Sequence, residues 1–254
     1  MNLVLQESNT CLGNIIKRGF MKKKIFCFNF DFILEYFNFK IPNELIIQFN
    51  RLSSNTENEL LFISGKHSNF ISNIASNNNL EKFSIVGEYG ATIHLNKQNY
   101  FNPSYISSKL TNELNLLKNQ LILSFKNSVS FQSNSINLTA NIIDKDKYSD
   151  ILSFIKKNKP KKISIFPSEN YIDLVPINIS KAEGINYFLS LKKIDIDNCY
   201  IYSFASCASD VPTLLLADKP FVIGNSLNLS MEHQKIQECR NLHSILDQEL
   251  SKTN

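Results

Sequence analysis

The chain has 254 residues, 43% of them apolar and 20% charged, with 27 Lys and Arg against 23 Asp and Glu for a net charge of +4. That length suits one large α/β domain, or a core domain with a smaller companion. No segment combines clustered Lys/Arg with interleaved aromatics, which argues against a nucleic-acid partner, and the apolar runs fall well short of the ~20 residues of a membrane span.

The first twenty residues, "MNLVLQESNTCLGNIIKRGF", lack a basic segment followed by a long apolar one, so no secretion signal is expected. Met21 followed by three lysines reads as a natural beginning, with residues 1–20 as a disordered extension. Cys11, Cys27, Cys199, Cys207 and Cys239 show no CxxC and no histidine at ligand spacing. They are expected as free thiols in a reducing, cytoplasmic setting.

Ile25–Phe30 is a short aromatic-rich run suited to a central parallel strand. It leads into "NFDFIL", which carries the amide Asn29 and the carboxylate Asp31. A helix is expected over Pro42–Leu52, then a strand over Leu60–Ile63 that breaks at Ser64-Gly65 into a helix with Phe70, Ile71 and Ile74 on one face. "FSIVGEYGATIHL" gives a strand, a turn at Gly87–Gly90 and a second short strand. This β-α-β-α-β order predicts a Rossmann-like, doubly wound parallel sheet with sites at strand C-termini.

The pattern changes near Asn96. Residues 98–178 read as helix Ser107–Leu117, strands Leu121–Phe125, Val129–Gln132 and Ile136–Asn141, helix Tyr148–Lys157, and strands Lys162–Phe166 and Tyr171–Val175. Such a segment makes an inserted α+β cap. Alternation resumes with helix Lys181–Leu191, strand Cys199–Phe204, a helix from Val211, strand Phe221–Ile223 and a closing helix Ser230–Leu250. The expected division is therefore a core from 21–97 and 179–254, interrupted by a cap at 98–178.

Four segments at strand ends would converge: Asn29–Phe32, Ser64–Lys66, the region of Lys181, and Ala205–Asp210. This ordered set resembles the haloacid dehalogenase superfamily, and residues 21–250 resemble its trehalose-6-phosphate phosphatase group and related sugar-phosphate phosphatases. "LLFISGKHSNFISNIASNNNLEKFSIVGEYGATI" is similar to that group's strand, Ser-Gly-Arg turn, helix and Gly-Glu-His-Gly-Ala segment. "YIDLVPINISKAEGINYFL" resembles its Glu-x-x-Pro-x-x-x-x-Lys-Gly run, with two extra residues between Lys181 and Gly184.

The resemblance implies phosphoryl transfer through an aspartyl-phosphate. It assigns the nucleophile position to Asn29, the acid/base position to Asp31, phosphate contacts to Ser64 and Lys181, and the family's Arg position to Lys66. Mg²⁺ would sit between the first loop and an acidic fourth loop. Here that loop reads "YSFASCASD", with Ser206 and Cys207 in place of its acidic or Asp-Ser pair, and Asp210 kept as the metal carboxylate. Phe32 and Ile33 replace the Gly-Thr of the first loop. In the cap, Lys126 and Ser128 lie close to matching substrate-binding positions, Ser124 and Gln132 replace a Glu and a His, and Asp173 stands where a sugar-contacting Glu is usual.

The expectation is a catalytically impaired pseudo-phosphatase with weak or absent Mg²⁺. It would keep a pocket for a phosphorylated sugar or small phosphate ester, with a sugar-phosphate synthase as a candidate partner. Two alternatives stand beside it: an active Mg²⁺-dependent hydrolase in which Asp31 activates water directly, and a structural interaction domain whose pocket Phe32 and Ile33 fill. Asp210 could equally cap the helix from Val211. Cys207 has no histidine near it in sequence to make it a substitute nucleophile.

Overall fold

A computed structural model describes residues 22–251 apart from 106, 133, 226 and 228; the expected extension at 1–20 lies outside the described residues. The larger of two sheets has the strand order β12-β11-β10-β1-β2-β3-β4-β5. Its central strands are β1 (Lys23–Asn29), β2 (Asn58–Ile63), β3 (Ser84–Gly87) and β10 (Cys199–Ala205). On one side stand β11 (Lys219–Ile223) and β12 (Gln234–Ile236), and on the other β4 (Thr92–Leu95) and β5 (Gln98–Phe101). All pairings from β12 to β3 are parallel, and β4 and β5 run antiparallel at the edge.

The period of two along β1 builds both faces of this sheet. Phe26 and Phe28 point into a core shared with helices α1 (Phe30–Tyr36), α2 (Asn43–Ser54), α3 (Ser68–Asn77) and, later in the chain, one at Leu242–Ser251. Ile25 and Cys27 point the other way, against helix Lys181–Lys192. Stacked rings cross the strands: Phe28 lies 4.5 Å from Phe204, and Phe204 lies 4.4 Å from Phe221, centroid to centroid. Each such fully buried ring contributes about 1.5–3 kcal/mol relative to exposure. Phe70, grouped with Ile71 from its spacing, faces outward.

The second sheet, β6-β7-β9-β8, is antiparallel throughout. It comprises β6 (Val129–Phe131), β7 (Leu138–Ile142), β8 (Ile163–Pro167) and β9 (Tyr171–Pro176), covered by α4 (Ser108–Phe125) and α5 (Tyr148–Asn158). The chain thus has an α/β architecture with a separate α+β layer, as the element order implies.

Three local expectations need correction. Leu121–Phe125 is not a strand but the last part of α4. Leu114, Leu117 and Leu121 recur at helical spacing and are all buried against the sheet, so the packing face continues past the expected end. Residues 98–101, assigned to the cap from sequence, form β5 and extend the larger sheet. Finally, Ser230–Leu250 is not one helix. Gln234–Ile236 pairs with β11 and buries Ile236, and the helix begins only at Leu242. The remaining helices are α6 (Lys181–Lys192), α7 (Val211–Leu216) and α8 (Leu242–Ser251).

Candidate active site

The sheet order reverses direction at β1, with β2 on one side and β10 on the other, which places a crevice at the strand C-termini. Register does the rest. Phe28 pairs with Phe204 and Asn29 with Ile63, so Asn29, Ser64 and Ser206 leave the sheet side by side. The turn Glu88–Gly90 supplies a fourth wall. Glu88 and Tyr89 both hold positive φ (48° and 58°), an uncommon conformation for such side chains. Gly90 at φ 108° faces Gly184 of α6 so closely that a Cβ on Gly184 would lie 2.5 Å from the Gly90 Cα. This close approach seats the N-terminus of α6, and hence Lys181, at the crevice.

Two networks meet there, the first buried and the second partly buried. In the first, the Asn29 side-chain amide donates to Asp210 Oδ2 at 2.5 Å and to Ser206 Oγ at 3.2 Å. Its carbonyl oxygen accepts from the Phe32 amide at 3.3 Å, so Asn29 also caps α1. The network fixes this amide orientation, because the opposite one would set oxygen against carboxylate. Lys181 Nζ lies 2.5 Å from Asp210 Oδ1, with both side chains 2% exposed. The Ser206 and Cys207 backbone amides add donors to Oδ2 at 3.0 and 3.2 Å. Burial alone would raise the Asp210 carboxyl, but Lys181 and these donors hold it below the ordinary carboxylate value. Lys181 shows the mirror effect: burial opposes its charge, yet Asp210, Cys207 and Asp31 raise it above an ordinary lysine.

The second network centres on Asp31. It accepts from Ser64 Oγ at 2.6 Å, from the Gly65 amide at 2.7 Å and from Lys66 Nζ at 3.3 Å. Lys66 also approaches Glu35 to 3.6 Å. Burial pushes the Asp31 carboxyl up, and Lys66, Lys181, Ser64 and Gly65 together overcome that and hold it low. Asp173, from β9, accepts from the Tyr89 hydroxyl and from Thr139 Oγ1. Burial, only partly offset by those bonds, pushes its carboxyl up to about 6.

Tyr89 fills the space between these groups. Its ring lies 5.2 Å from Lys181 Nζ, packs so tightly on Gly65 that a Cβ there would be 2.7 Å from Cε2, and stacks on Phe166 of β8. What remains between Asp31, Lys66, Thr139, Tyr171 and Asp173 is a cavity of about 10 Å³.

A family model for haloacid dehalogenase-like hydrolases matches residues 115–229. Solved structures extend the likeness to nearly the whole chain. The C-terminal domain of a trehalose-6-phosphate phosphatase from C. albicans superimposes with a TM-score of 0.69 at 13% identity, over 89% of this chain and 92% of that one. A haloacid dehalogenase-like hydrolase from Bacteroides thetaiotaomicron gives 0.67 at 13% identity, over 90% and 100%. The sucrose-phosphatase from Synechocystis, solved in complex with sucrose and phosphate, gives 0.59 at 11% identity, over 89% and 98%.

The fold is the haloacid dehalogenase-like fold.

Among curated proteins no sequence match was found.

On this haloacid dehalogenase-like frame, Asn29, Asp31, Ser64, Lys66, Lys181, Ser206 and Asp210 gather at the crevice, and Asp173 reaches it from the cap sheet. Lys126 does not join them. It lies in the exposed turn Lys126–Ser128 at the end of α4, and among the described residues it makes no ion pair or hydrogen bond to the Asp31 cluster. Asp210 sits directly before α7 but makes no side-chain cap bond to that helix. Its oxygens serve the crevice instead. Cys207 Sγ touches Asp210 at 3.2 Å; burial and that neighbouring charge push its thiol up to about 11, which leaves little thiolate.

Sequence reasoning passed over Tyr89, Glu35, Thr139 and Tyr171. The signal for Tyr89 lay in "GEYG", where a tyrosine stands between glycines at the resembled group's histidine position. For Glu35 and Thr139 no motif points to the site.

Among the described residues, no set of three or more His, Cys, Asp or Glu side chains is arranged to hold a metal. No helix among them is long and apolar enough to cross a membrane.

Proposed function

We propose that this protein is a non-catalytic relative of the haloacid dehalogenase-like phosphatases, with a phosphate cradle that is retained but internally satisfied. The observation that carries this reading is the Asn29–Asp210–Lys181 chain of contacts at 2.5 Å each. A carboxamide has no anionic oxygen with which to attack phosphorus and form an acyl-phosphate.

The donor set also does not fit Mg²⁺. That ion needs hard oxygen ligands and compensating negative charge. Here the crevice offers Asp210, whose charge an ammonium group already offsets, and an amide that turns its N–H toward the carboxylate. No step is therefore assigned to a metal. Asp31, held ionised by Lys66, Ser64 and Gly65, has no proton to give a leaving group near neutral pH, and is a weak base toward water. This disfavours direct hydrolysis through Asp31.

Ser64, Lys66 and Lys181 supply the cradle chemistry, so a phosphorylated sugar or small phosphate ester is the ligand class assigned. Its phosphoryl oxygens would have to displace Asp31 from Ser64 and Gly65. A regulatory association with an enzyme that makes such esters, such as a sugar-phosphate synthase, would suit a protein of this kind.

The test is a phosphatase screen with Mg²⁺ comparing the parent chain with Asn29→Asp/Ser206→Asp, with Phe32→Gly added where needed. The parent is expected to stay inactive and the revertant to gain activity. Parent turnover above about 1 s⁻¹, a modest enzyme rate, overturns the reading.

The cavity of about 10 Å³ left around Asp31 and Asp173 favours a second reading, a purely structural domain with a filled pocket. Calorimetry with inorganic phosphate and trehalose 6-phosphate separates the two: saturable binding supports the cradle, and its absence supports the filled pocket.

A further inference from the structure

A different surface, sharing no residue with the crevice, carries its own chemistry. The run "KKNKPKK" places five lysines within Lys156–Lys162, where α5 ends and the chain turns into β8. Lys159 is used locally, donating to the Ile163 carbonyl at 2.7 Å. Lys156 and Lys157 lie in the last turn of α5, where cations complement the helix dipole. Lys161 and Lys162 have no such role. Both are exposed, and among the described residues neither pairs with a carboxylate.

They form one bank of a groove of about 780 Å³ whose other bank is the first half of α4. Lys109 on that bank is likewise exposed, and among the described residues it has no carboxylate partner and Glu113 is the only acidic residue lining the groove. Apolar side chains stand between these charges: Leu110, Leu116, Leu117 and Ile177 line the groove, and Leu116 and Ile177 are 63% and 59% exposed.

We infer that this groove is a docking surface for an acidic amphipathic helix of a partner protein. Lysines on both banks and a nearly carboxylate-free lining call for negative charge by complementarity. Exposed leucine and isoleucine side chains set between lysines match a helix whose Leu-type anchors at i, i+3/i+4 and i+7 are flanked by Glu or Asp. Nucleic acid fits less well. Among the described residues the groove lining contains no aromatic side chain for bases to stack on. Its concavity disfavours a flat membrane surface.

The experiment uses the full chain and a labelled synthetic 20-residue peptide with Leu at helical spacing and Glu elsewhere, read by fluorescence anisotropy at low and moderate salt. Its controls are a scrambled peptide of equal composition, vesicles containing anionic lipid, and single-stranded RNA. Saturable binding is expected, weakened about tenfold or more by raised salt, by Lys161→Glu/Lys162→Glu, and by Leu116→Glu. All three positions are exposed, so unchanged thermal unfolding should confirm that the variants fold. Equal binding of the scrambled peptide, no loss in the variants, no binding at all, or tighter binding to vesicles or RNA overturns the inference.

Discussion

Asn29 and Asp210, 181 positions apart in sequence, are joined by an amide-to-carboxylate hydrogen bond of 2.5 Å inside the protein. The bond spans the seam between β1 and β10, and it satisfies a buried charge with a neutral donor. Asn29→Asp would set two carboxylates against each other in a site where Lys181 offsets only one. We expect the variant to lose about 1–3 kcal/mol, read by urea unfolding, and to recover part of that loss when Mg²⁺ is added. A variant as stable as the parent without the cation would contradict this account of the seam.

Lys181→Met removes the ammonium partner of a carboxylate that is 1% exposed. Breaking a buried pair from one side costs about 3–5 kcal/mol, because the remaining charge is uncompensated. The double variant Lys181→Met/Asp210→Asn should be less damaged than the single one. If the two are equally destabilised, charge is not what this pair contributes.

Asp173 predicts a distinct pH dependence. Its carboxyl is raised to about 6 in the folded protein by burial, against about 3.9 when unfolded. Between those values the folded state holds the extra proton, so this group's contribution to stability falls as pH rises from about 4 to 6. The shift corresponds to at most about 3 kcal/mol. Asp210 and Asp31 act oppositely. Their folded values are lowered, so the stability they confer is present above the unfolded value and lost as pH falls below it. Asp173→Asn should flatten the pH 4–6 segment of a stability profile while leaving the acid limb in place. A profile of unchanged shape would remove Asp173 as the source.

Tyr89 ties the crevice to the cap sheet through Asp173 and Phe166. Tyr89→Ala should cost about 3–5 kcal/mol through the void it leaves, and should raise protease cleavage within the cap under native conditions. Gly65→Ala should cost about 1–3 kcal/mol by overpacking against that ring, and most of this cost should vanish in the Tyr89→Ala background. Additive losses in the double-mutant cycle would show that the two residues are not in contact.

The parts of this architecture that were legible in the sequence are those written in short-range pattern. The aromatic run of β1, the Ser64-Gly65 break and the Lys181 helix start each carry local turn or periodicity signals. Their order predicts that Asn29, Asp31, Ser64 and Asp210 converge at one place. What failed depends on partners far along the chain. "LILSF" at 121–125 alternates well enough for a strand, and only the packing of Leu121 with Leu114 and Leu117 makes it helical. Gln234–Ile236 becomes a strand because β11 offers an open edge, which local composition does not announce. Asn29 could be read as a missing nucleophile, but its second role, donating to a lysine-paired Asp210, needs the register of three strands. Motif similarity alone points Lys126 toward the site, and the turn at the end of α4 carries it into solvent.

The close seating of Gly184 on Gly90 has one more consequence. Because it delivers Lys181 to the β1–β10 seam, the polypeptide carries its own counterion as a covalent part of its scaffold. Such a domain sets its internal charge once, on folding, and its shape should then be indifferent to whether chelator or divalent salt surrounds it.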